Sequence, residues 1–249
     1  MDNNLIFGIR PVVEAIEAGR EIEKLYIRKG AEGQLMTELR DLCLRHRVRV
    51  QEVPVEKLNR LVRGNHQGVV AQIAAIAYVQ LDDILERVPD DETPLVVVFD
   101  GVTDVRNFGA IARTAECAGV DAIVIPQHGS VSVGGDAVKT SAGALLHIPV
   151  CRERSVRGAV QFLKDNGYRV VAVSEKADIN YTEANFTDPV ALVMGAEDVG
   201  ISPDVYDLCD LRVGIPMFGK IGSLNVSVAA GVLMYEVVRQ RLAANLEVI

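Results

Sequence analysis

The sequence predicts a two-part α/β protein. A small α/β domain occupies residues 1–76, an acidic linker 77–93, and a larger parallel-sheet domain 94–249. Three observations predict this. Apolar runs such as Leu95-Val96-Val97-Val98-Phe99 are continuous, as strands buried on both faces of a parallel sheet require. Strand-like runs alternate with helix-period segments along the whole chain. The charge balance also shifts: +2 over residues 1–76, −5 over 77–99 and −5 over 100–249, for a total of −8.

The elements follow in order. Pro11 near a helix start and Gly19 past its end bracket a helix over Pro11–Ala18. Leu25-Tyr26-Ile27 reads as a strand. Over Glu32–His46 a helix places Leu35, Met36, Leu39, Leu42 and Cys43 on one face. Val48, Val50 and Val53 suggest a strand, Val55–Val62 a short helix, and Val69–Ile73 a buried strand. The stretch Leu81 to Pro94, with Asp90-Asp91-Glu92, reads as a connector holding one short helix. Beyond it, Leu95–Phe99, Ala122–Ile125, Arg169–Val173, Ala191–Met194 and Leu211–Val213 are strands. Ala110–Ala118, stopped by Gly119, and Val156–Lys164 are helices. Gly134-Gly135 is a turn. Leu224–Leu242 is the longest helix, apolar over most of its surface, which places it in a core or at a subunit interface.

Composition excludes several classes. At 49% hydrophobic and 24% charged residues, the chain is neither disordered nor collagenous. The richest apolar stretch, Leu224 to Val238, contains Glu236 and falls short of the roughly 18 residues of a membrane span. Met1-Asp2-Asn3-Asn4 lacks the basic start and apolar block of a signal peptide. Cys43, Cys117, Cys151 and Cys209 form no CxxC pair, so the reading is reduced thiols in a cytoplasmic protein, with neither zinc nor disulfides. His46, His66, His128 and His147 show no metal spacing and read as structural. Arg40, Arg45, Arg47, Arg49, Lys57, Arg60 and Arg63 form either a solvated face or an RNA-facing patch, and charge alone does not decide.

The nearest catalytic pattern is a decoy. Gly214 to Lys220 matches the GxxxxGK of a phosphate loop, but Ile221 stands where a magnesium-holding hydroxyl belongs, and Pro216 removes a backbone donor. No GxGxxG follows a strand, and no GxSxG exists. What remains is three polar and glycine-bearing clusters, each where an apolar strand ends: Asp100 to Ala115, Leu192 to Ile201, and Ile215 through Gly222-Ser223-Leu224-Asn225 to Ala229. Ligands of parallel α/β sheets bind outside the carboxyl ends of the strands. Asn107 and Arg113, six residues apart across a helix start, are both able to project toward one site from different faces.

Together the three clusters resemble the three motifs of the SpoU/TrmH family of RNA ribose 2′-O-methyltransferases, within the SPOUT superfamily. The likeness covers roughly residues 94–242, and Lys139 to Ala144 before His147-Ile148-Pro149-Val150 is also typical of the family. Phe7 to Ile16 and His66 to Ala71 resemble the family's small N-terminal substrate-binding domain. The likeness is strongest to the type that methylates a guanosine of 23S ribosomal RNA. It implies a C-terminal domain with a deep trefoil knot, S-adenosylmethionine as methyl donor, structured RNA as substrate (ribosomal first, transfer RNA second), and a homodimer with active sites at its interface. A non-catalytic RNA-binding assembly factor is the alternative from another class. The intact Asn107, Arg113 and Glu197 speak against it. Where the family commonly has Asp-Pro-x-Asn, this chain reads Asp104-Val105-Arg106-Asn107, which removes a fixed φ from the loop aiming Asn107.

The resemblance assigns the site residue by residue. Met194, Gly195, Ile215, Met217, Gly219, Ser223, Leu224 and Asn225 would bind the cofactor. Gly195, Gly219 and Gly222 are expected to let backbone approach a flat ring and to take φ > 0, while backbone groups of Ile215, Leu224 and the Met194-Gly195 turn read the adenine edge. Asn225 shapes the third loop or caps the long helix. Arg113 and Glu197 are the candidates for handling the ribose proton. The family favours the arginine as catalytic centre. A guanidinium keeps its proton, with a pKa above about 12, so it is better suited to stabilise a developing alkoxide or grip a phosphate. Glu197 would then take the proton or orient Arg113, and Asn107 would position the ribose or Arg113.

Overall fold

The computed structural model describes residues 4–89 and 92–246. Met1-Asp2-Asn3 and Asp90-Asp91 of the readings above lie outside them. The chain divides into two units: residues up to Ala77 together with Ser132–Asp136, and Tyr78–Val131 together with the chain from Ala137 onward.

The first unit runs β1 (Leu5–Phe7), α1 (Ile9–Glu17), β2 (Ile22–Arg28), α2 (Gln34–Arg45), β3 (Val50–Val53), α3 (Val55–Leu61) and β4 (Val69–Ile73). Its sheet order is β1-β4-β2-β3, with only β2 and β3 parallel. Alternation along β2 sends Leu25 and Ile27 to one face and Tyr26 to the other. Leu25 and Ile27 meet Val12 and Ile16 of α1 and Met36, Leu39, Leu42 and Cys43 of α2. Tyr26 packs with Val53, Leu58 and Val70 beneath α3. Leu35 departs from its expected place. It is exposed, because the buried stripe of α2 runs through Met36, Leu39, Leu42 and Cys43, and Leu35 lies off its edge. His66 is structural as read: its Nδ1 accepts the Gly68 N–H at 2.9 Å and its Nε2 lies 2.9 Å from Asn59 Oδ1.

Ser132–Asp136 joins this unit from a distant part of the chain. Ala75 N–H donates to the Val133 carbonyl at 2.9 Å, and Ser132 Oγ lies 3.3 Å from Glu23 Oε2. A Cβ on Gly134 would sit 2.6 Å from the Gln72 side-chain nitrogen. Gly134-Gly135 is therefore not a free turn; Gly135 opens a helix.

The second unit continues with α4 (Leu81–Arg87), β5 (Leu95–Asp100), α5 (Val105–Cys117), β6 (Ala122–Pro126), α6 (Gly135–Thr140, whose first two residues group with the first unit), β7 (Val150–Glu153) and α7 (Val156–Asp165). It ends with β8 (Arg169–Val173), β9 (Ile179–Asn180), β10 (Val190–Gly195), α8 (Pro203–Tyr206), β11 (Leu211–Gly214) and α9 (Val226–Leu246). Seven parallel strands lie in the order β7-β6-β5-β10-β8-β11-β9. This is the expected α/β class with a parallel sheet. The connector's helix α4 contributes Leu81 and Ile84 to this unit's core.

One sheet face, carrying Val96, Val98, Val124, Val170 and Val193, is covered by Val156, Ala159, Val160 and Leu163 of α7 and by α4 and α8. On the other face Phe99 meets Phe108 of α5 edge-on, with centroids 5.5 Å apart. Each such fully buried side chain contributes about 1.5–3 kcal/mol. Helix α9 packs along α5 and against β10. Near its C-terminal end the half-buried Arg241 guanidinium donates to the carbonyls of Thr93, Pro94, Phe186 and Asp188, pinning the segments that lead into β5 and β10. No helix of the described residues is long and apolar enough to cross a membrane.

Candidate active site

The carboxyl ends of β5 and β10 are flush, since the register pairs Gly195 with Asp100. Two of the three clusters therefore begin side by side. After Asp100, Gly101 turns the chain with φ +85°, and Asp104 starts α5. Its carboxylate accepts the N–H groups of Arg106 at 2.8 Å and Asn107 at 2.9 Å, satisfying two of the helix's unpaired donors. Helix α5 thus begins at Val105, five residues before its expected start. Asn107 stands in its first turn rather than in a loop. This also settles Val105: the first helical position is where proline is most at home, and Asp104 holds the turn without it.

The second cluster folds back sharply. Ala196 and Gly200 exchange two backbone hydrogen bonds, of 3.1 and 2.9 Å, leaving Glu197, Asp198 and Val199 at the tip. A Cβ on Gly195 would lie 2.3 Å from the backbone of Gly200 and Ile201. Glycine is required there for close approach. The expected φ > 0 is absent at Gly195, Gly219 and Gly222. The left-handed conformation falls instead on Gly101 and Gly200, which make the reversals.

The third cluster runs without regular structure from Ile215 to Asn225, where α9 begins. The two readings of Asn225 turn out to hold together. Its Oδ1 accepts the Ser227 N–H at 2.9 Å as a helix cap, while its Nδ2 donates to Asn107 Oδ1 at 3.0 Å. Asn107 Nδ2 in turn donates to Glu197 Oε1. A backbone N–H can only donate, so Ser227 fixes the orientation of Asn225, and Asn225 that of Asn107. One hydrogen-bonded chain therefore crosses all three clusters and ends on a carboxylate.

The remaining predicted residues make no hydrogen bond to this chain among the described residues. Met194 is buried on β10, Ile215 and Met217 are half-buried, and Ser223 and Leu224 are exposed. Gly219 and Gly222 face open space where a side chain would sit. Beside them Phe218 and Ile221 are 96% and 77% exposed, an unusual cost for large apolar groups. Arg113 lies exposed on α5, with no side-chain hydrogen bond or ion pair among the described residues. Sequence reasoning missed Thr140: a Cβ on Gly109 would lie 2.6 Å from the Thr140 Cβ, so α5 abuts the Lys139–Ala144 stretch only because residue 109 is glycine. It also missed Asp100 and Ser202, bonded across the base of the second turn.

A parallel sheet with a polar chain across three loops at its carboxyl edge, in a chain that also carries a small α/β unit, fits an RNA-modifying transferase, and likeness to known proteins gives that class. The chain belongs to the SpoU rRNA methylase family, whose model matches residues 94–235. A second model, for RNA 2′-O ribose methyltransferase substrate binding, matches residues 5–79. A protein of Staphylococcus haemolyticus assigned to the TrmH family of tRNA/rRNA methyltransferases is 38% identical over 242 residues, covering 97% of both chains. YacO of Bacillus subtilis, assigned likewise, is 36% identical over 240 residues, 96% of each. Among solved structures, the SpoU methyltransferase AviRb of Streptomyces viridochromogenes in complex with AdoMet is 30% identical, with TM-score 0.61, covering 96% of this chain and 90% of that one. The AdoMet-bound rRNA methyltransferase of Sinorhizobium meliloti is 25% identical, with TM-score 0.60, covering 94% and 86%. The family is one of S-adenosylmethionine-dependent RNA methyltransferases.

Proposed function

We propose that this chain transfers a methyl group from S-adenosylmethionine to a ribose 2′-hydroxyl in structured RNA, with a guanosine of 23S ribosomal RNA as the first substrate to test. The hydrogen-bonded chain Glu197–Asn107–Asn225 carries the reading, because it draws the three clusters together at the sheet's carboxyl edge. The residues present fit the cofactor. Open space before Gly219 and Gly222, flanked by exposed Phe218, Ile221 and Leu224, suits a flat, partly apolar ring. Met194, Gly195, Ile215, Met217, Ser223 and Asn225 would complete that surface.

When bound, the cofactor supplies an electrophilic methyl on a sulfonium. The protein's work is alignment and charge. Holding the ribose oxygen in line supplies about 7 kcal/mol at the low end of effective-molarity estimates. Glu197 is placed to take the hydroxyl proton, with Asn107 fixing its direction. Arg113, with no hydrogen-bond or ion-pair partner among the described residues, would stabilise the alkoxide and grip a neighbouring phosphate. The first unit would grip the RNA by shape and 2′-hydroxyls. Its exposed Arg45, Arg47 and Arg63 support that reading. We assign residues 1–76 to substrate binding and 94–249 to transfer, joined by 77–93.

The reading also carries a homodimer, supported by Val228, Tyr235 and Leu242 exposed on α9, and a knotted C-terminal return, supported by β10 lying between β5 and β8 while α9 comes back along α5. Light scattering of the purified protein tests the dimer. The function is tested by titrating S-adenosylmethionine calorimetrically, then mapping labelled methyl groups on total RNA from cells lacking the protein. A 2′-O-methyl on ribosomal RNA is expected. A label confined to transfer RNA reassigns the substrate, and no cofactor heat at millimolar concentration favours the non-catalytic assembly factor.

A further inference from the structure

We infer that Asp100 is a positioning residue that seats Glu197 against Asn107. The inference rests on the reading of Glu197 as part of the reactive site. Asp100 is the last residue of β5, and its Oδ2 accepts both the N–H and the Oγ–H of Ser202, each at 2.6 Å. Ser202 ends the turn that Gly195 begins.

The turn's own bonds leave it one freedom. Ala196 and Gly200 hold each other, so Glu197, Asp198 and Val199 move as a piece with the base of the turn. The start of that base is fixed by the β10–β5 ladder at Gly195. Its other end has no strand neighbour among the described residues; Ile201 packs on the core and α8 follows, and the Asp100 carboxylate is what ties Ser202 to the end of β5. With that tie removed, the turn keeps its internal bonds but is no longer drawn against the end of β5, and Glu197 at the tip shifts relative to Asn107. The same strand, β5, leads five residues on into α5 and seven residues on to Asn107. One carboxylate thus fastens the glutamate's turn to the strand that delivers the glutamate's partner. Bonds from two donors to an ionised acceptor are the strong kind and suit a fixed hinge.

The alternative is that Asp100 merely steadies Ser202 ahead of α8, a helix of four residues. The two differ in whether Asp100 acts through Glu197. Asp100→Ala and Ser202→Ala are made alone and in a Glu197→Gln background, and labelled methyl transfer to total RNA from cells lacking the protein is measured in single turnover. Misplacing a catalytic group by an ångström costs up to about a hundredfold. Asp100→Ala alone should therefore slow transfer about ten- to a hundredfold, and Asp100→Asn, which keeps an acceptor, should recover most of that loss. With Glu197→Gln already present, adding Asp100→Ala should cost less than about threefold, because coupled sites are not additive. Ser202→Ala, the milder change, should show the same coupling with a smaller loss, and it carries the test should Asp100→Ala fail to fold. Full additivity of either variant with Glu197→Gln overturns the inference and leaves the site reading intact. An unimpaired Glu197→Gln overturns the reading of Glu197 itself, and this inference with it.

Discussion

Asn107 donates its side-chain amide to Glu197 and accepts one from Asn225, binding together residues 90 and 118 positions away. That path runs through all three clusters, and the Asp100–Ser202 bond ties the start of the first to the end of the second turn.

That arrangement predicts the effect of Asn107→Asp. The new carboxylate keeps the acceptor for Asn225 but turns a donor toward Glu197 into a like charge. Methyl transfer should fall at least about a hundredfold, on the scale of losing one preorganised donor. The melting temperature should move little, since the residue is only half-buried and the change is nearly isosteric. A variant with near-normal turnover would separate the hydrogen-bonded chain from the reaction.

Arg113 makes no bond that folding needs. Arg113→Ala should abolish transfer while calorimetry still detects S-adenosylmethionine. Turnover within about tenfold of the parent, roughly 1.4 kcal/mol of barrier, would remove Arg113 from the proposed role. Arg113→Lys should also be poor, since an ammonium lacks the planar fork.

The thiols predict a labelling pattern. Burial pushes Cys43 up to about 11, with Arg40 opposing. Burial likewise raises Cys151 to about 12, helped by Glu153, and Cys209 to about 12, helped by Asp210. Only Cys117 is exposed. A thiol reagent at pH 8 should modify one cysteine per native chain at once and all four after denaturation, with Cys117→Ser abolishing the fast step.

Arg241 answers four backbone carbonyls from two separate segments. Arg241→Met should leave three part-buried carbonyls and one exposed one short of a donor and cost about 1–3 kcal/mol in urea unfolding, the range for an acceptor left unsatisfied. Burial already lowers the pKa of this guanidinium, opposed by the Asp121 charge.

The long buried runs were legible because each carries its own signal. Leu95–Phe99 and Val69–Ile73 are apolar throughout, and the structure makes strands of both. Strands β1, β7 and β9 were not read, being too short to show a pattern (three, four and two residues) and held by their neighbours. The start of α5 was missed because Val105-Arg106-Asn107 looks like loop, and only the Asp104 cap makes it helix. At the site, motif order named Asn107, Glu197 and Asn225, but no spacing reveals that three distant side chains hydrogen-bond in series. Asp100 and Ser202 were invisible for the same reason, a bond across 102 positions.

Because Ser132–Asp136 groups with the first unit, the polypeptide passes between the units three times: after Ala77, before Ser132 and after Asp136. A protease that nicks the acidic stretch therefore severs residues 1–77 from the rest of the chain but leaves Ser132–Asp136, part of the same unit, joined to the second. Residues 1–77 produced alone would also lack the carbonyl that Ala75 binds and the hydroxyl beside Glu23. For this molecule, the first unit cannot be excised as one uninterrupted piece of chain without losing part of its own edge.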